Sequence, residues 1–516
     1  MSDHAPTPDT QTDVAVIGAG PAGLAAAVAA ASAGASVTVV ELCDDIGGRG
    51  IVSGGNIHLG GGNALQARLG IEDTPDAVFA DWVRHDLPES RFCDRDLVRA
   101  YADHSVETYE FLAEHGVRFI DTPTAVKLDV KSVGPQSVPR VFRCEEWPVA
   151  EELALRESGR NGSGLVRALE RSARRLGVVF RLGHRMTRIA PGPEGQPQIV
   201  EGTAPDGPFA ITARRGIVLA TGGSTGNVNF RRIFDPRLTE EYQQVGAPVA
   251  QQTGDGEIAA MAYGASLWGT AAQTAGTCLV MAKTHHIGCR WGYKRLKYRT
   301  DSPHFPRAGA TGLTVSDWQN VILVNQAGKR FWNEEDEDQA FFDAAMGYCR
   351  REGAPDGGGP IWAIFDADAV AREGWTPEPP HVDPRYFAKG ETLGELVANL
   401  DNPYQSTPLD RAALAETVAR YNCFVAEGVD RDFGKPQPRY PIARPPFYAA
   451  WATPMIHDSL AGLRIDGGAR VIGLDGAPIP GLFCAGESHG GFPQHGLGRS
   501  VLFGRLAGLG AARREG

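Results

Sequence analysis

The sequence predicts an α/β protein organised on a Rossmann-like, dinucleotide-binding unit, and three observations near its start carry that prediction. An apolar run with strand propensity, Val14-Ala15-Val16-Ile17, leads directly into Gly18-Ala19-Gly20-Pro21-Ala22-Gly23. An Ala-rich helix follows from Leu24 to about Ala33, where Gly34 stops it. A second apolar strand, Ser36 to Val40, ends in Glu41. That places the acid about twenty residues beyond the turn, where a carboxylate can accept hydrogen bonds from an adenosine ribose. The glycines differ in what they permit. Gly18 makes the tight turn, Gly20 lets the backbone approach a pyrophosphate at the positive end of the helix, and Gly23 lets helix and strand pack closely.

Length and composition bound the rest. A chain of 516 residues is long enough for two or three domains. Its 42% hydrophobic and 22% charged content is that of an ordinary globular protein, and a net charge of −11 argues against a nucleic-acid partner or an acidic membrane surface. Eight cysteines stand at 43, 93, 144, 278, 289, 349, 423 and 484 without any Cys-x-x-Cys spacing, so neither a disulfide framework nor a zinc site is indicated and a cytoplasmic setting is expected. The first residues, MSDHAPTPDTQT, lack a basic region followed by an apolar core, and residues 24–40 are too rich in Ala, Gly and Ser for a membrane span.

Taken in order, the chain next offers Asp45-Ile46-Gly47-Gly48-Arg49 and the run Ser53-Gly54-Gly55-Asn56-Ile57-His58-Leu59-Gly60-Gly61-Gly62. So much glycine points to close backbone approach to a ligand. Apolar spacing predicts a helix over 96–115, closed by Gly116, and a second over 163–176 with Ser163 as N-cap and Gly177 beyond its end. A strand is expected at 178–182. Two short strands between Gln198 and Ile211 flank the turn dipeptide Asp206-Gly207. A separate buried strand, Ile217 to Ala220, ends in Thr221-Gly222-Gly223, and ligands collect at such carboxyl ends. Thr253-Gly254-Asp255-Gly256 opens a helix over 257–262.

From about residue 270 the texture turns irregular, with Pro, Trp and basic groups, and a second domain is expected there. Six Lys or Arg without an acid lie between Lys283 and Arg299, but the acidic run Glu334 to Asp338 nearby favours a solvated face or an anion-attracting entrance over nucleic acid. Helices are expected at 392–399 and 407–427, the latter with Pro408 in its first turn. Short strands return after 446, with a hairpin over 463–472 around Asp466-Gly467, then Gly481 to Glu487, and a last helix over about 500–512. His285, His286 and Cys289 are too few for a metal site, and none is expected.

These landmarks together resemble the fumarate reductase and 3-ketosteroid dehydrogenase superfamily of FAD flavoproteins. The resemblance rests on Gly18-x-Gly20-x-x-Gly23 with Glu41, Ser53-Gly54-Gly55, Ala220-Thr221-Gly222-Gly223, Thr253-Gly254-Asp255-Gly256, Asn325 to Phe331, and Gly481 to Glu487. It implies an FAD-binding domain made from both chain ends, 1–269 and 446–516, interrupted by an α+β capping domain at 270–445. It also implies contacts to FAD from Gly18, Gly20, Pro21, Ala22, Gly23, Gly48, Arg49, Ala220, Thr221, Gly222, Asp255 and Gly486. In the same reading Glu41 holds the adenosine ribose, Met186 or its neighbours meet adenine through backbone, Ser53, Gly54, Gly55 and Asn56 line the isoalloxazine, and Glu487 binds ribityl hydroxyls. Ser500 and Val501 would present helix N-terminal amides to the flavin. Covalent members carry histidine six residues before Gly54; here that position is Gly48, so the FAD is expected to be non-covalent.

Within the superfamily the run from Ser53 to Gln66 and Pro445 to Ala449 look more like the ketosteroid type. The substrate arginine of fumarate reductases falls on Gly496, and their proton-donating arginine near Val370, with Arg372 two residues away. Aligning Gly498 with the ketosteroid type's carbonyl-binding glycine puts Gln494 at its tyrosine position. A dehydrogenase of this kind needs a base, a donor for the carbonyl oxygen and the flavin as hydride acceptor. In the loop Gln494 to Ser500, His495 is either an acid/base or a hydrogen-bonded structural histidine, and Arg499 either an anchor or a capping partner. Tyr448, Tyr293 and Tyr298 are further phenolic candidates. The readings are a dehydrogenase forming a C=C bond next to a ketone, a fumarate-type reductase of an unsaturated acid, or a non-catalytic electron carrier. The partners expected are a small-molecule substrate and an external electron acceptor.

Overall fold

A computed structural model describes residues 10–84, 93–122, 136–147, 161–236, 238–242, 251–269, 279–282, 286–288, 312–336, 345, 360–401, 408–492, 494 and 496–514. The chain divides into two compact units, one from Met1–Asp235, Val249–Leu279 and Asp458–Gly516, the other from Pro236–Pro248 and Val280–His457.

The first unit opens with β1 (Thr10–Ile17), α1 (Pro21–Ser32) and β2 (Val37–Glu41). Helices α2 (Arg95–Glu114) and α3 (Gly162–Arg175) follow, then β3 (Val179–Leu182), β4 (Arg185–Pro191), β5 (Pro197–Ala204), β6 (Gly207–Leu219) and α4 (Asp255–Met261). After the second unit the chain returns with β7 (Arg470–Ile472), β8 (Pro478–Cys484) and α5 (Leu497–Arg513). The central path of the sheet runs β7-β8-β6-β1-β2-β3, with β4 and β5 extending from β6. The pairs β8-β6, β6-β1, β1-β2 and β2-β3 are parallel, so both faces need cover and the strands read as apolar runs. Ile17 pairs with Leu219 and Leu219 with Cys484, which brings three strand ends level on one edge of the sheet.

Several elements differ from the sequence reading. Gly207–Leu219 is one strand of 13 residues rather than a hairpin arm followed by a separate strand. Its first half pairs antiparallel with β5 and its second half parallel with β1. The polar Arg214, which broke the apolar pattern, is carried at the surface by two bonds to Asp13 Oδ1. Helix α3 starts one residue before Ser163, whose Oγ accepts from Trp147 N instead of capping. The helix expected from 407 starts at Arg411, because the carboxylate of Asp410 accepts from the amides of Ala412 and Ala413; Thr407 lies outside the described residues.

Helix α5 starts at Leu497, three residues before the expected Ser500. It lies on α1 almost backbone to backbone. A Cβ on Gly504 would stand 2.3 Å from Ala22 O, and one on Gly508 2.2 Å from Ala26 O. Only glycine permits that approach, and it sets the middle of α5, at Gly504, beside the first turn of α1.

The second unit holds a four-stranded antiparallel sheet in the order Ile322–Val324, Trp362–Asp366, Phe447–Trp451, Phe387–Gly390. Alternate residues sort to opposite faces, as strand geometry demands. Leu323, Ala363, Phe365 and Tyr448 belong to one apolar cluster, and Ile322, Val324, Trp362, Ile364 and Trp451 to the other. Strand Phe447–Trp451, which follows the expected boundary at 445, is an inner strand of this sheet. A buried ion cluster stands beside the edge strand Ile322–Val324: Arg330 pairs with Glu334 and Asp430, Glu334 accepts from Leu323 N, and Lys435 gives its Nζ protons to Trp318 O and Val321 O.

Candidate active site

The level strand ends build a cradle. Ala220 N donates to Ile17 O, Ala485 N to Leu219 O and Gly18 N to Val40 O, so the turns after β1, β6 and β8 are tied together. Gly18 has φ +101, and a Cβ there would lie 2.3 Å from Ala220 O; at Gly23 it would lie 1.8 Å from Gly18 O. At Gly20, by contrast, no atom lies within 4 Å of the Cβ position. The middle glycine therefore faces open space at the uncapped start of α1, where the helix presents amides to an anionic group. Glu41 accepts from Ala19 N at 2.7 Å and Cys43 N at 2.9 Å, which fixes its carboxylate beside this turn. The cradle fits a dinucleotide pyrophosphate and an adjoining ribose.

Polar groups crowd the carboxyl ends of β6 and β8. Ser488 Oγ accepts from the amides of Gly222 and Gly223 and lies 3.0 Å from Thr221 Oγ1, which in turn donates to Glu257 Oε2 at 3.4 Å. With its lone pairs taken by amides, Ser488 spends its own proton on Thr221. Glu257 is buried, and burial pushes its carboxyl up to about 8. Arg49 reaches both Asp458 and Glu487, and Gln252 Nε2 donates to Glu487 Oε2 at 2.7 Å. Burial lifts Glu487 to about 7 in spite of Arg49 beside it.

A second cluster surrounds the first turn of α5. A Cβ on Gly498 would lie 2.4 Å from His58 O, 2.9 Å from Tyr101 Oη and 3.1 Å from Gln494 Oε1, so these oxygens close around a position only glycine can take. The single proton of Tyr101 goes to His58 O. The phenol oxygen then faces His58 Nδ1 at 3.2 Å as an acceptor, which places the imidazole proton on Nδ1 and leaves Nε2 a bare, buried acceptor. Burial, and next to it the charge of Arg140, hold His58 neutral with a pKa of about 3. Burial drives the Tyr101 phenol well above its usual range. Beneath them Arg140 is fully buried between Asp73 and Asp81. Gln494 is 1% exposed and lies at the Tyr101 phenol, where it opposes the upward push of burial.

The expected residues fall into distinct places. Gly48 meets Gly20, its Cβ position 3.7 Å from Gly20 Cα, and Gly486 lies against Ala22, so these join Gly18, Gly20, Pro21, Gly23 and Ala220 around the cradle. Ser53 Oγ donates to Gly50 O and accepts from Gly55 N, while Asn56 opens a strand paired with Val141–Arg143. Met186 is buried in β4, opposite Gly202 of β5. Asp255 is spent on a two-pronged pair with Arg185, at 2.9 and 3.0 Å. Because α5 begins at Leu497, the amides without intrahelical partners belong to Leu497, Gly498 and Arg499 rather than to Ser500 and Val501. Ser500 Oγ donates back to Gly496 O.

Arg499 is fully buried, with Nη1 on Phe492 O and Nη2 on Ser459 O. It braces the loop ahead of α5 and presents no open face for a substrate anion. Arg372 gives Nε to Asn320 and lies 4.1 Å above the ring of Tyr440. Tyr448 is core: its ring stacks on Phe365 at 5.2 Å and packs against Phe387. His495, Tyr293, Tyr298, His285 and Cys289 lie outside the described residues; His286 pairs with Thr314 in a two-stranded ribbon. No group of three metal-binding side chains occurs among the described residues.

The sequence reading left His58, Tyr101, Gln252, Glu257 and Asp458 without roles. Two had a visible signal, His58 inside the glycine run and Glu257 directly after Gly254-Asp255-Gly256. Tyr101 read only as one more apolar-face residue of its helix.

The chain is similar throughout its length to known flavoenzymes. It is 28% identical to a cytochrome-type fumarate reductase of Shewanella frigidimarina, over 99% of this chain and 78% of that one. It is 28% identical to a urocanate reductase of Eggerthella lenta, over 98% and 75%. It is 26% identical to a 3-oxosteroid 1-dehydrogenase of Mycobacterium tuberculosis, over 98% and 99%. Among solved structures, an open flavocytochrome c3 fumarate reductase matches with a TM-score of 0.67 at 25% identity, covering 98% of this chain and 79% of that one. The 3-ketosteroid Δ4-(5α)-dehydrogenase of Rhodococcus jostii matches with a TM-score of 0.58 at 25% identity, covering 98% of both. With residues 13–499 matching the model of the FAD binding domain family, the chain belongs to that family and is an FAD-dependent oxidoreductase.

Proposed function

We propose that the chain is a dehydrogenase that introduces a carbon–carbon double bond next to a ketone, in a cyclic ketone or 3-oxosteroid-like substrate that can also carry a carboxylate. The observation that carries this reading is the position of Gly498. Its amide lies in the first turn of α5, which has no side-chain cap, and its Cα is wedged among His58 O, Tyr101 Oη and Gln494 Oε1. An orphan helix amide at a fixed place is a donor for a carbonyl oxygen, and it strengthens as negative charge grows there during removal of the α-proton. The Gln494 amide is a second donor for the same oxygen. FAD, when bound, takes the β-hydride.

In this reading His495, next to Gln494, removes the α-proton. The FAD is held without a covalent bond, since Gly48 offers no side chain to attach, and an external acceptor reoxidises it. The ketone rather than a dicarboxylate is supported by the commitments of the arginines: Arg499 serves the carbonyls of Phe492 and Ser459, and Arg372 serves Asn320 and Tyr440. Reduction of an unsaturated acid is the second reading, favoured by the relatives named as fumarate and urocanate reductases. A carrier without catalysis drops out, because the relatives are enzymes. No helix among the described residues is long and apolar enough to cross a membrane.

Anaerobic mixing of the oxidised holoenzyme with saturated cyclic ketones tests the reading. Bleaching of the flavin is expected, and His495→Ala should slow it by about 10²- to 10⁴-fold with FAD still bound. Reoxidation of the reduced flavin by an enoic acid, with no bleaching by any ketone, would transfer the assignment to the second reading.

A further inference from the structure

The buried acid Glu257 has no part in the proposed chemistry. It stands in the first turn of α4, is 1% exposed, and meets one polar side chain, Thr221, whose Oγ1 donates to Glu257 Oε2 at 3.4 Å. The other oxygen, Oε1, is buried and accepts no bond among the described residues. The amide of Glu257 itself opposes the push of burial without closing a bond of normal geometry.

Its charged neighbours add to the cost of ionising it. On α4 Asp255 contributes negative charge; it is paired with Arg185 of β4, and Arg188 of that strand pairs with Glu201. Beyond β8 Glu487 contributes negative charge and is paired with Arg49. From α5 Arg499 acts on Cys484 and Glu487 and bonds Phe492 O and Ser459 O. Among the described residues none of these cations forms an ion pair with Glu257. The Cys484 thiol, at the end of β8, is pushed up by burial and then by Glu257.

A buried carboxyl in such surroundings is held at least cost as the neutral acid, with the Thr221 hydroxyl on its carbonyl oxygen. Its place is beside the cradle. A Cβ on Gly256 would lie 2.5 Å from Thr221 Oγ1, and one on Gly18 3.4 Å from Thr221 Cα. Thr221 therefore stands between α4 and the first glycine of the turn that fits a pyrophosphate.

We propose that Glu257 is a cofactor-linked proton site: it is the neutral acid when FAD is bound, and its ionisation weakens FAD binding. The diphosphate of FAD brings negative charge to the turn that touches Thr221. Like charge makes ionised Glu257 costlier, so the holoprotein holds the proton more tightly than the apoprotein, and the proton in turn favours FAD. Glu257 acts through charge and needs no bond to the cofactor. Burial sets its carboxyl at about 8 before FAD arrives. Below that pH both forms keep the proton and affinity is level. Above it the apoprotein loses the proton first, and affinity falls by up to about tenfold per pH unit until the holoprotein ionises too. The proposal rests on FAD binding alone and holds for either direction of the reaction.

The test is titration of FAD into the apoprotein at a series of pH values from about 6.5 to about 9.5, read by flavin fluorescence, with circular dichroism to show that the apoprotein stays folded at each. The wild-type Kd should be level up to about pH 8 and then rise, and that of Glu257→Gln should stay level. Calorimetry at about pH 8.5 in two buffers of different protonation enthalpy should show wild type taking up more proton per FAD than the variant. The same pH profile and the same proton uptake in both proteins would overturn the proposal. If Glu257→Gln fails to fold or to hold FAD, Glu257→Leu takes its place, and a wild-type Kd that is level across the whole range refutes the linkage alone.

Discussion

Replacing Gly498 by alanine tests the pocket most directly. The new methyl carbon would stand 2.4 Å from His58 O, where ordinary contact begins at 3.4 Å, so the first turn of α5 or the His58 strand must give by roughly 1 Å. His58 O belongs to a backbone paired with Val141, and Tyr101 Oη is bonded to that same carbonyl, so neither neighbour can turn aside cheaply. Overpacking of this kind costs about 1–3 kcal/mol of stability. A misplacement of about 1 Å at a reacting centre can cost about 10²-fold in rate. Stopped-flow measurement of flavin reduction by substrate should therefore show a fall of about that size, with FAD content unchanged. Gly508→Ala is the control, since its methyl would strike Ala26 O at 2.2 Å on the same helix but away from the pocket. It should lower the melting temperature without slowing reduction. A wild-type rate in Gly498→Ala, or an equal loss of rate in Gly508→Ala, would refute the reasoning.

Stability should depend on pH through His58. Its folded pKa of about 3 lies below the ordinary value of about 6.5, so the neutral buried ring stabilises the fold above pH 6.5. That contribution should be lost at about 1.4 kcal/mol per unit as pH falls toward 3; denaturant melts of His58→Gln should show a shallower acid slope than wild type. Arg140→Met should cost about 3–5 kcal/mol, because Asp73 and Asp81 keep their buried sites without their cation. Burial alone would raise Asp73, but Arg140 and the Gly61 amide carry it below its usual range. Its stabilisation is present above the unfolded value of about 3.9 and lost as pH falls through the folded one, so the stability gap between wild type and Arg140→Met should be full at neutral pH and close as the solution is acidified. Acid precipitation should release free FAD into the supernatant, and NADH should reduce the enzyme slowly, because no second strand-glycine-helix unit follows residue 50. Flavin retained in the pellet, or fast stoichiometric reduction by NADH, would contradict these two expectations.

By itself the sequence determined whatever depends on neighbours along the chain. The turn Gly18 to Gly23, the helix behind it, Glu41 and the glycine pair after β6 were legible because backbone conformation and apolar period are local properties. Amphipathic spacing located α2 and α3 to within a residue or two, and the family followed from the order of such local motifs. The tertiary structure decided what depends on distant partners. Arg499 and Tyr448 carry reactive groups, and only packing shows one braced on Phe492 O and Ser459 O and the other stacked on Phe365. Arg49, Gln252, Asp458 and Glu487 are hundreds of residues apart in part, and no spacing rule joins them until the strand ends are level. The start of α5 was missed by three residues because Gly496 and Gly498, on either side of Leu497, are weak helix formers. That helix lies on α1 at Gly504 and Gly508 and meets His58 O at Gly498, contacts set by close packing between the two ends of the chain.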